Sequence, residues 1–220
     1  MTLARRLLIF GCCCGSWHAL LAQSVFGRQG NIYFKTATGL IEQVTNGNRD
    51  SEPALSPDGK RIVFVRETQK ESPNEEAVTS ITNRTQLWIT DAHSADSAQL
   101  LLDSPVEIKG NRYFSFHVPQ WSPDGDAVYF QIDYSVVSGA IVRLTVQAKS
   151  LSFVAPALEF HVIKTGKFKG DIAALQRRNT LAPSHYEWFW LLRPDGTTID
   201  VIGQSKGDLD LFRETYSASF

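Results

Sequence analysis

Leu55-Ser56-Pro57-Asp58-Gly59-Lys60, followed by Arg61-Ile62-Val63-Phe64-Val65, returns as Trp121-Ser122-Pro123-Asp124-Gly125-Asp126, followed by Ala127-Val128-Tyr129-Phe130-Gln131. In each copy the proline presets the backbone angle of the second turn position, the aspartate can accept hydrogen bonds from nearby amides, and the glycine supplies a left-handed residue. An apolar, β-rich run follows at once, so each phrase predicts strand, tight turn, strand.

Ahead of the first copy, residues 32–35 and 40–45 predict a hairpin turning at Thr38-Gly39, and residues 46–50 form a turn cluster. After it, residues 67–86 are polar, carry Glu71, Glu75 and Glu76, and lack apolar periodicity, as expected of a solvated insertion between strands. Residues 86–91 and 98–102 predict the next strand pair. The same order returns around the second copy, with residues 113–119 ahead of it and residues 140–146 and 151–154 behind. Ser56 and Ser122 stand 66 positions apart; without the roughly twenty-residue insertion the period falls to about 45, the length of one four-stranded propeller blade. A third, eroded copy runs through residues 160–163, a turn at 165–170, and residues 172–175. Residues 186–192 and 198–202 then flank Arg193-Pro194-Asp195-Gly196. Residues 209–212 supply one more strand, and no helix longer than a turn or two is signalled after residue 24.

The predicted fold class is therefore all-β: a small or partial β-propeller of about four blades built from antiparallel meanders. Blades pack face to face, so Ile62 and Phe64 should meet one neighbour while Val63 and Val65 meet the other. A ring has no open edges and an arc has two. Either the hairpin at 31–45 joins C-terminal strands to complete a fourth blade, or the arc stays open and a partner covers its edge. The closed or nearly closed form is the expectation.

Composition is that of a globular chain, 43% hydrophobic and 20% charged. A formal net charge of −1 argues against a nucleic-acid partner. Arg5-Arg6, an apolar stretch from Leu7 to Ala22, and Ala22-Gln23-Ser24 together read as an export signal over residues 1–24, leaving one domain over 25–220. The stretch is too short, and too broken by Gly11 and Gly15, for a stable membrane span. Cys12, Cys13 and Cys14 all lie inside it, so the processed chain has no thiol to form a disulfide or ligate a metal. Localisation is then periplasmic or secreted, with lipid attachment at Cys12 the less favoured alternative.

Glu52-Pro53-Ala54-Leu55-Ser56-Pro57-Asp58-Gly59-Lys60 and Val118-Pro119-Gln120-Trp121-Ser122-Pro123-Asp124-Gly125-Asp126 resemble the TolB-type WD-repeat-like β-propeller family. TolB is the periplasmic partner of the Tol-Pal envelope system, and the repeat also occurs in propeller domains attached to serine peptidases. The resemblance implies a propeller, and a bacterial host. This chain is much shorter than TolB, has no room for a separate N-terminal domain, and carries Leu55 and Asp126 where the family has Trp and Lys. The repeat alone does not choose a function.

Candidate binding residues are Glu52, His117 and His161, near the starts of strands that the repeat places innermost, around an axial channel; each histidine also has an ordinary structural reading. The processed chain's histidines, His93, His117, His161 and His185, show no metal-ligand spacing, and no metal or other cofactor is called for. Gly203-Gln204-Ser205-Lys206-Gly207 matches G-x-S-x-G, but a nucleophile elbow needs a following helix and a later acid and histidine, and no histidine follows; it reads as a loop. Tyr186, Trp188 and Trp190 share one strand face and could be a binding platform or blade packing. Lys164, Lys167 and Lys169 form a basic tip, read as solvated. Asn83-Arg84-Thr85 is a glycosylation sequon, incidental in a bacterial host.

The expected function is an exported, non-enzymatic propeller module that binds a protein partner in the bacterial cell envelope, with self-association through an open blade edge as one possibility. The alternatives are a glycan- or peptide-acting enzyme using Glu52, His117 or His161 at the channel mouth, and a periplasmic inhibitor or immunity protein.

Overall fold

A computed structural model describes residues 23–68, 84–94, 97–135, 138–179 and 185–220. Residues 1–22 of the expected export signal, residues 69–83 of the expected insertion, and Asn83 of the sequon lie outside the described residues.

Among the described residues, seventeen strands and one helix follow one another as antiparallel meanders. Blade I is β1 (Ser24–Arg28), β2 (Asn31–Lys35) and β3 (Ile41–Gln43). Blade II is β4 (Asp50–Leu55), β5 (Arg61–Glu67), β6 (Thr85–Asp91) and β7 (Gln99–Leu102). A two-stranded hairpin, β8 (Val106–Ile108) and β9 (Asn111–Tyr113), leads into blade III: β10 (Phe116–Trp121), β11 (Ala127–Ser135), β12 (Ser138–Thr145) and β13 (Ser150–Ala157). Blade IV is β14 (Glu159–Val162), β15 (Ile172–Asn179), β16 (His185–Leu192) and β17 (Thr198–Gly203), and α1 (Lys206–Tyr216) follows. The chain is an all-β partial propeller with one short helix.

The two Ser-Pro-Asp-Gly phrases make the same turn atom for atom. Ser56 Oγ donates to Asp58 Oδ1 at 2.5 Å and accepts from Arg61 N–H at 2.9 Å; Ser122 Oγ donates to Asp124 Oδ1 at 2.5 Å and accepts from Ala127 N–H at 2.9 Å. Gly59 and Gly125 close the turns at φ 71° and 77°, where a side chain would be strained. The serine hydroxyls hold both aspartates below the ordinary carboxylate range, helped by the Lys60 and Asp126 amides and opposed by partial burial. Each turn thus fixes the register of the strand that follows it.

Those strands alternate as blade packing requires. Ile62 and Phe64 pack with Ile32, Phe34 and Val44 of blade I, whereas Val63 and Val65 pack with Phe116, Val128, Phe130 and Val142 of blade III. Phe160, Val162, Ile172, Ala174 and Leu192 of blade IV continue the series against Tyr129, Ile141 and Val154. Burying such faces supplies about 1.5–3 kcal/mol per large apolar side chain.

The ends of the arc differ from expectation. Among the described residues, blade I consists of β1–β3 and pairs with no C-terminal strand, so the end of the chain does not complete it. Residues 209–212 are helix, not strand. Ser205 Oγ accepts from Asp208 N–H while the Asp208 carboxylate accepts from Ser205 N–H, a capping box that starts α1. Leu209 and Phe212 then fall on one face, with Tyr216 a turn further on, and Ser217 ends the helix in the left-handed conformation. That face packs on Ile163, Ala173, Phe189 and Leu191, the side of blade IV that a further blade would cover. Glu67, Thr85 and Gln86, expected in the insertion, extend β5 and β6.

Candidate functional site

The first strands of blades II, III and IV, β4, β10 and β14, lie side by side around the axis. β4 and β10 each carry a bulge just before their turns, between Ser51 and Ala54 and between His117 and Gln120. Glu52 and Val118 occupy corresponding places in these bulges at φ 50° and 47°, an uncommon conformation for residues with a Cβ and a strained one for β-branched Val118. Proline follows each, so neither bulge has an N–H to give at its next position.

Side chains on one inner strand hold the backbone of the next. Glu52 Oε2 accepts from Val118 N–H at 2.5 Å, tying the bulge of β4 to that of β10. Trp121 Nε1–H donates to the Ala54 carbonyl at 3.0 Å. From blade III onward, Gln120 grips β14 with both ends of its amide, donating to the Phe160 carbonyl at 2.9 Å and accepting from Val162 N–H at 2.9 Å. Lys164 Nζ donates to the Trp121 carbonyl, and burial pushes its pKa down to about 8. Lys164 is therefore part of the blade III–IV junction and not of a solvated tip.

Of the three candidate residues, Glu52 and His117 fall at one junction and His161 stands apart. The Glu52 carboxylate meets the amide next to His117, so these two share the blade II–III junction. His117 Nε2 itself lies 3.3 Å from Asp133 Oδ1. His161 projects from β14 toward α1: its Nε2 lies 2.8 Å from Glu159 Oε1, its ring stacks on Phe220 with centroids 4.8 Å apart, and Lys206 Nζ approaches Glu159 at 3.0 Å. Burial works to raise the Glu159 pKa, but the hydrogen bonds from His161 and Lys206 outweigh it and hold the carboxyl below its ordinary value. These contacts fasten the C-terminal residues to blade IV, together with Lys164 N–H donating to the Ser219 carbonyl at 2.6 Å.

Ser205 follows a strand and opens a helix, but it sits at φ −124° in extended backbone, and its hydroxyl is engaged with the Asp208 carboxylate and amide. A nucleophile elbow presents a strained, free serine to a base; Ser205 is a helix cap. Trp190 packs into the blade III–IV interface under the Arg178 guanidinium, 3.5 Å from the ring centroid, and Tyr186 and Trp188 meet edge to face at 5.6 Å. A groove of about 220 Å³ runs between α1 and β17, with Phe168, Val201, Leu211 and Tyr216 as apolar walls and Asp200 and Asp208 beside them. Among the described residues, no group of three or more His, Asp or Glu side chains is placed to hold a metal ion, and no helix is long and apolar enough to cross a membrane.

Gln120, Lys164, Glu159 and Lys206 carry contacts that sequence reasoning missed. Gln120 stands between Pro119 and Trp121, two positions after Val118, the counterpart of Glu52, and its own counterpart in the first copy is Ala54. Nothing local marks Lys164 or the pairing of Glu159 with Lys206, which are 47 positions apart.

Blade I ends the series short of one strand. Asn31-Ile32-Tyr33-Phe34-Lys35 aligns with Gln86-Leu87-Trp88-Ile89-Thr90, the third strand of blade II: Ile32 and Phe34 face blade II as Leu87 and Ile89 face blade III. β1 lies against β4 as β5 lies against β10. β1, β2 and β3 are thus the second, third and fourth strands of a blade whose innermost strand is absent among the described residues. The other edge of β1 receives no backbone hydrogen bond from them.

No protein-family model matches the chain, and no curated protein matches it by sequence. Solved structures do match by fold. TolB from Acinetobacter baumannii aligns with a TM-score of 0.51 at 16% identity over 80% of this chain and 38% of its own. Dipeptidyl peptidase 4 of Porphyromonas gingivalis aligns at 0.53 and 11% identity over 83% of this chain and 31% of its own. An acylaminoacyl peptidase in complex with Z-Gly-Gly-Phe-chloromethyl ketone aligns at 0.51 and 15% identity, over 79% and 28%. The chain spans less than two fifths of each of these proteins. At such identities the likeness is one of fold: this chain has a TolB-like β-propeller fold.

Proposed function

We propose that residues 25–220 form one exported, non-enzymatic propeller domain that binds a protein partner in the bacterial cell envelope after removal of residues 1–24. The observation that carries this reading is that, among the described residues, the first blade lacks its innermost strand and its sheet edge is unpaired, whereas α1 covers the other end. The candidate polar groups lend support by being already committed: Glu52 to the Val118 amide, His161 to Glu159 and Phe220, and Ser205 to its helix cap. The TolB-like fold adds an envelope context by analogy.

Expression with a C-terminal tag, fractionation, and mass measurement of the N-terminus test the address; cleavage at or near Ala22 in envelope material is the expected result. Crosslinking in cells followed by tag purification tests the partner. A single protein recovered in stoichiometric amount, and lost when the envelope fraction is omitted, is expected. Cytoplasmic retention with an intact Met1 would refute the export half, and repeated recovery of folded protein without a specific crosslinked species would refute the binding half.

A further inference from the structure

We infer that the free edge of β1 is a strand-acceptor site, which binds an extended segment of the partner as the missing innermost strand of blade I. The inference rests on the binding-module reading and names what is bound.

Three observations converge on it. β1 pairs residue for residue with β2 over Ser24–Arg28 without a register shift, and the domain at 25–220 keeps Val25–Arg28 of it, so its outer edge keeps an unbroken alternation of donors and acceptors. It also lacks the devices that guard exposed edges: no proline, no bulge, and no charged side chain before Arg28 at its end. Finally, the vacant position continues an interface already built twice. β4 reaches into β10 through Glu52, and β10 into β14 through Gln120. Among the described residues, no inner strand stands on the other side of β4 to serve its bulge in the same way.

That continuity gives the partner its chemistry. The segment should be extended over about six residues, the length of β4 and β10, and antiparallel to β1. It should carry a side-chain hydrogen-bond acceptor, either a glutamate at the place of Glu52 or a glutamine two residues further on at the place of Gln120. An apolar residue should follow, to pack beside Leu55 as Trp121 packs beside Ala54. Main-chain pairing supplies affinity, and these side chains supply selectivity.

The test uses synthetic peptides copied from this chain's own inner strands, residues 50–60 and 116–126, against protein purified from the envelope fraction with its N-terminus verified by mass. Saturable binding by fluorescence anisotropy is expected. N-methylation of alternate peptide amides is the diagnostic: in one phase it should weaken binding at least roughly tenfold by removing ladder hydrogen bonds, and in the other phase leave it within about twofold. Replacing Glu52 in the first peptide, or Gln120 in the second, by alanine should weaken binding by a similar factor. No binding overturns the inference, as does binding insensitive to the phase of N-methylation. A stable dimer that excludes the peptide also overturns it, making a second copy the occupant. Envelope protein that still carries residues 1–22 and binds only once they are cut away overturns it too, making the chain's own N-terminus the occupant. Capture of a specific envelope partner without peptide binding would refute the strand site and leave the binding-module reading standing.

Discussion

Lys164 offers a quantitative test of how blades III and IV are joined. Its ammonium is drawn out of water to reach the Trp121 carbonyl, and burial lowers its pKa from 10.5 to about 8. Because the folded value is the depressed one, the unfolded chain binds the extra proton between these two values. Stability must therefore rise with pH in that window, by about 1.4 kcal/mol per unit where the folded lysine is neutral and the unfolded one charged. Integrated from pH 7 to pH 10, wild type should gain about 2.5 kcal/mol from this residue. Lys164→Met keeps the stem's packing and removes the titration, at the expense of one hydrogen bond worth about 1 kcal/mol. The assay is urea unfolding of both proteins at pH 7, 8, 9 and 10; other titrating groups cancel in the difference. Wild type minus variant should start near zero or negative and climb across the window. A difference that stays flat within about 0.5 kcal/mol, the spread allowed to sites without such coupling, would refute the buried-ammonium account of this junction.

Further outcomes follow from the same contacts. Glu52→Ala leaves the Val118 amide to water and should cost about 1 kcal/mol in urea unfolding, whereas Gln120→Ala, which breaks two part-buried bonds to β14, should cost about 1–3 kcal/mol. Phe212→Ala opens the contact between α1 and blade IV and should cost about 3 kcal/mol, with dye binding reporting the uncovered face. Ser122→Ala removes the bond that lowers the Asp124 pKa. That bond stabilises the fold above the ordinary aspartate range and is lost as pH falls through the lowered folded value. The gap between wild type and Ser122→Ala should therefore be about 1 kcal/mol at neutral pH and shrink in acid, with the Asp124 carboxyl titrating higher in the variant by NMR.

The repeat was legible because its turn chemistry is local. Proline, aspartate and glycine at fixed spacing make the hairpin wherever they occur, and the alternation of Ile62 and Phe64 with Val63 and Val65 announces a strand buried on both faces. α1 carried a local signal as well: Ser205 and Asp208 in capping-box positions, with Leu209, Phe212 and Tyr216 at helical spacing. Gly207 in the first turn and the alternation Leu209-Asp210-Leu211 made that segment equally readable as a strand, and tertiary packing on Ala173, Phe189 and Leu191 decided the matter. The inner-strand network was not legible in the same way. Whether Glu52 points into a channel or at the Val118 amide depends on two bulges 66 residues apart facing each other, which no single stretch of chain reveals.

The two ends of the arc show what the fold must still solve. Every interior blade buries both faces, so each terminal blade has a face with no neighbour. At the C-terminal end, α1 covers the apolar face of blade IV, and the Glu159, His161, Lys206 and Phe220 contacts pin the last residues in place. At the N-terminal end nothing equivalent exists among the described residues: Phe26 stacks on Tyr33 with centroids 5.5 Å apart, while Leu40 and Ile41 are 59% and 55% exposed. A fold that invests eleven residues in capping one end while, among the described residues, the other keeps a sheet edge unpaired and Leu40 and Ile41 exposed is asymmetric in a way that stability alone does not favour. The uncovered end is therefore where a partner would gain most by adding a strand.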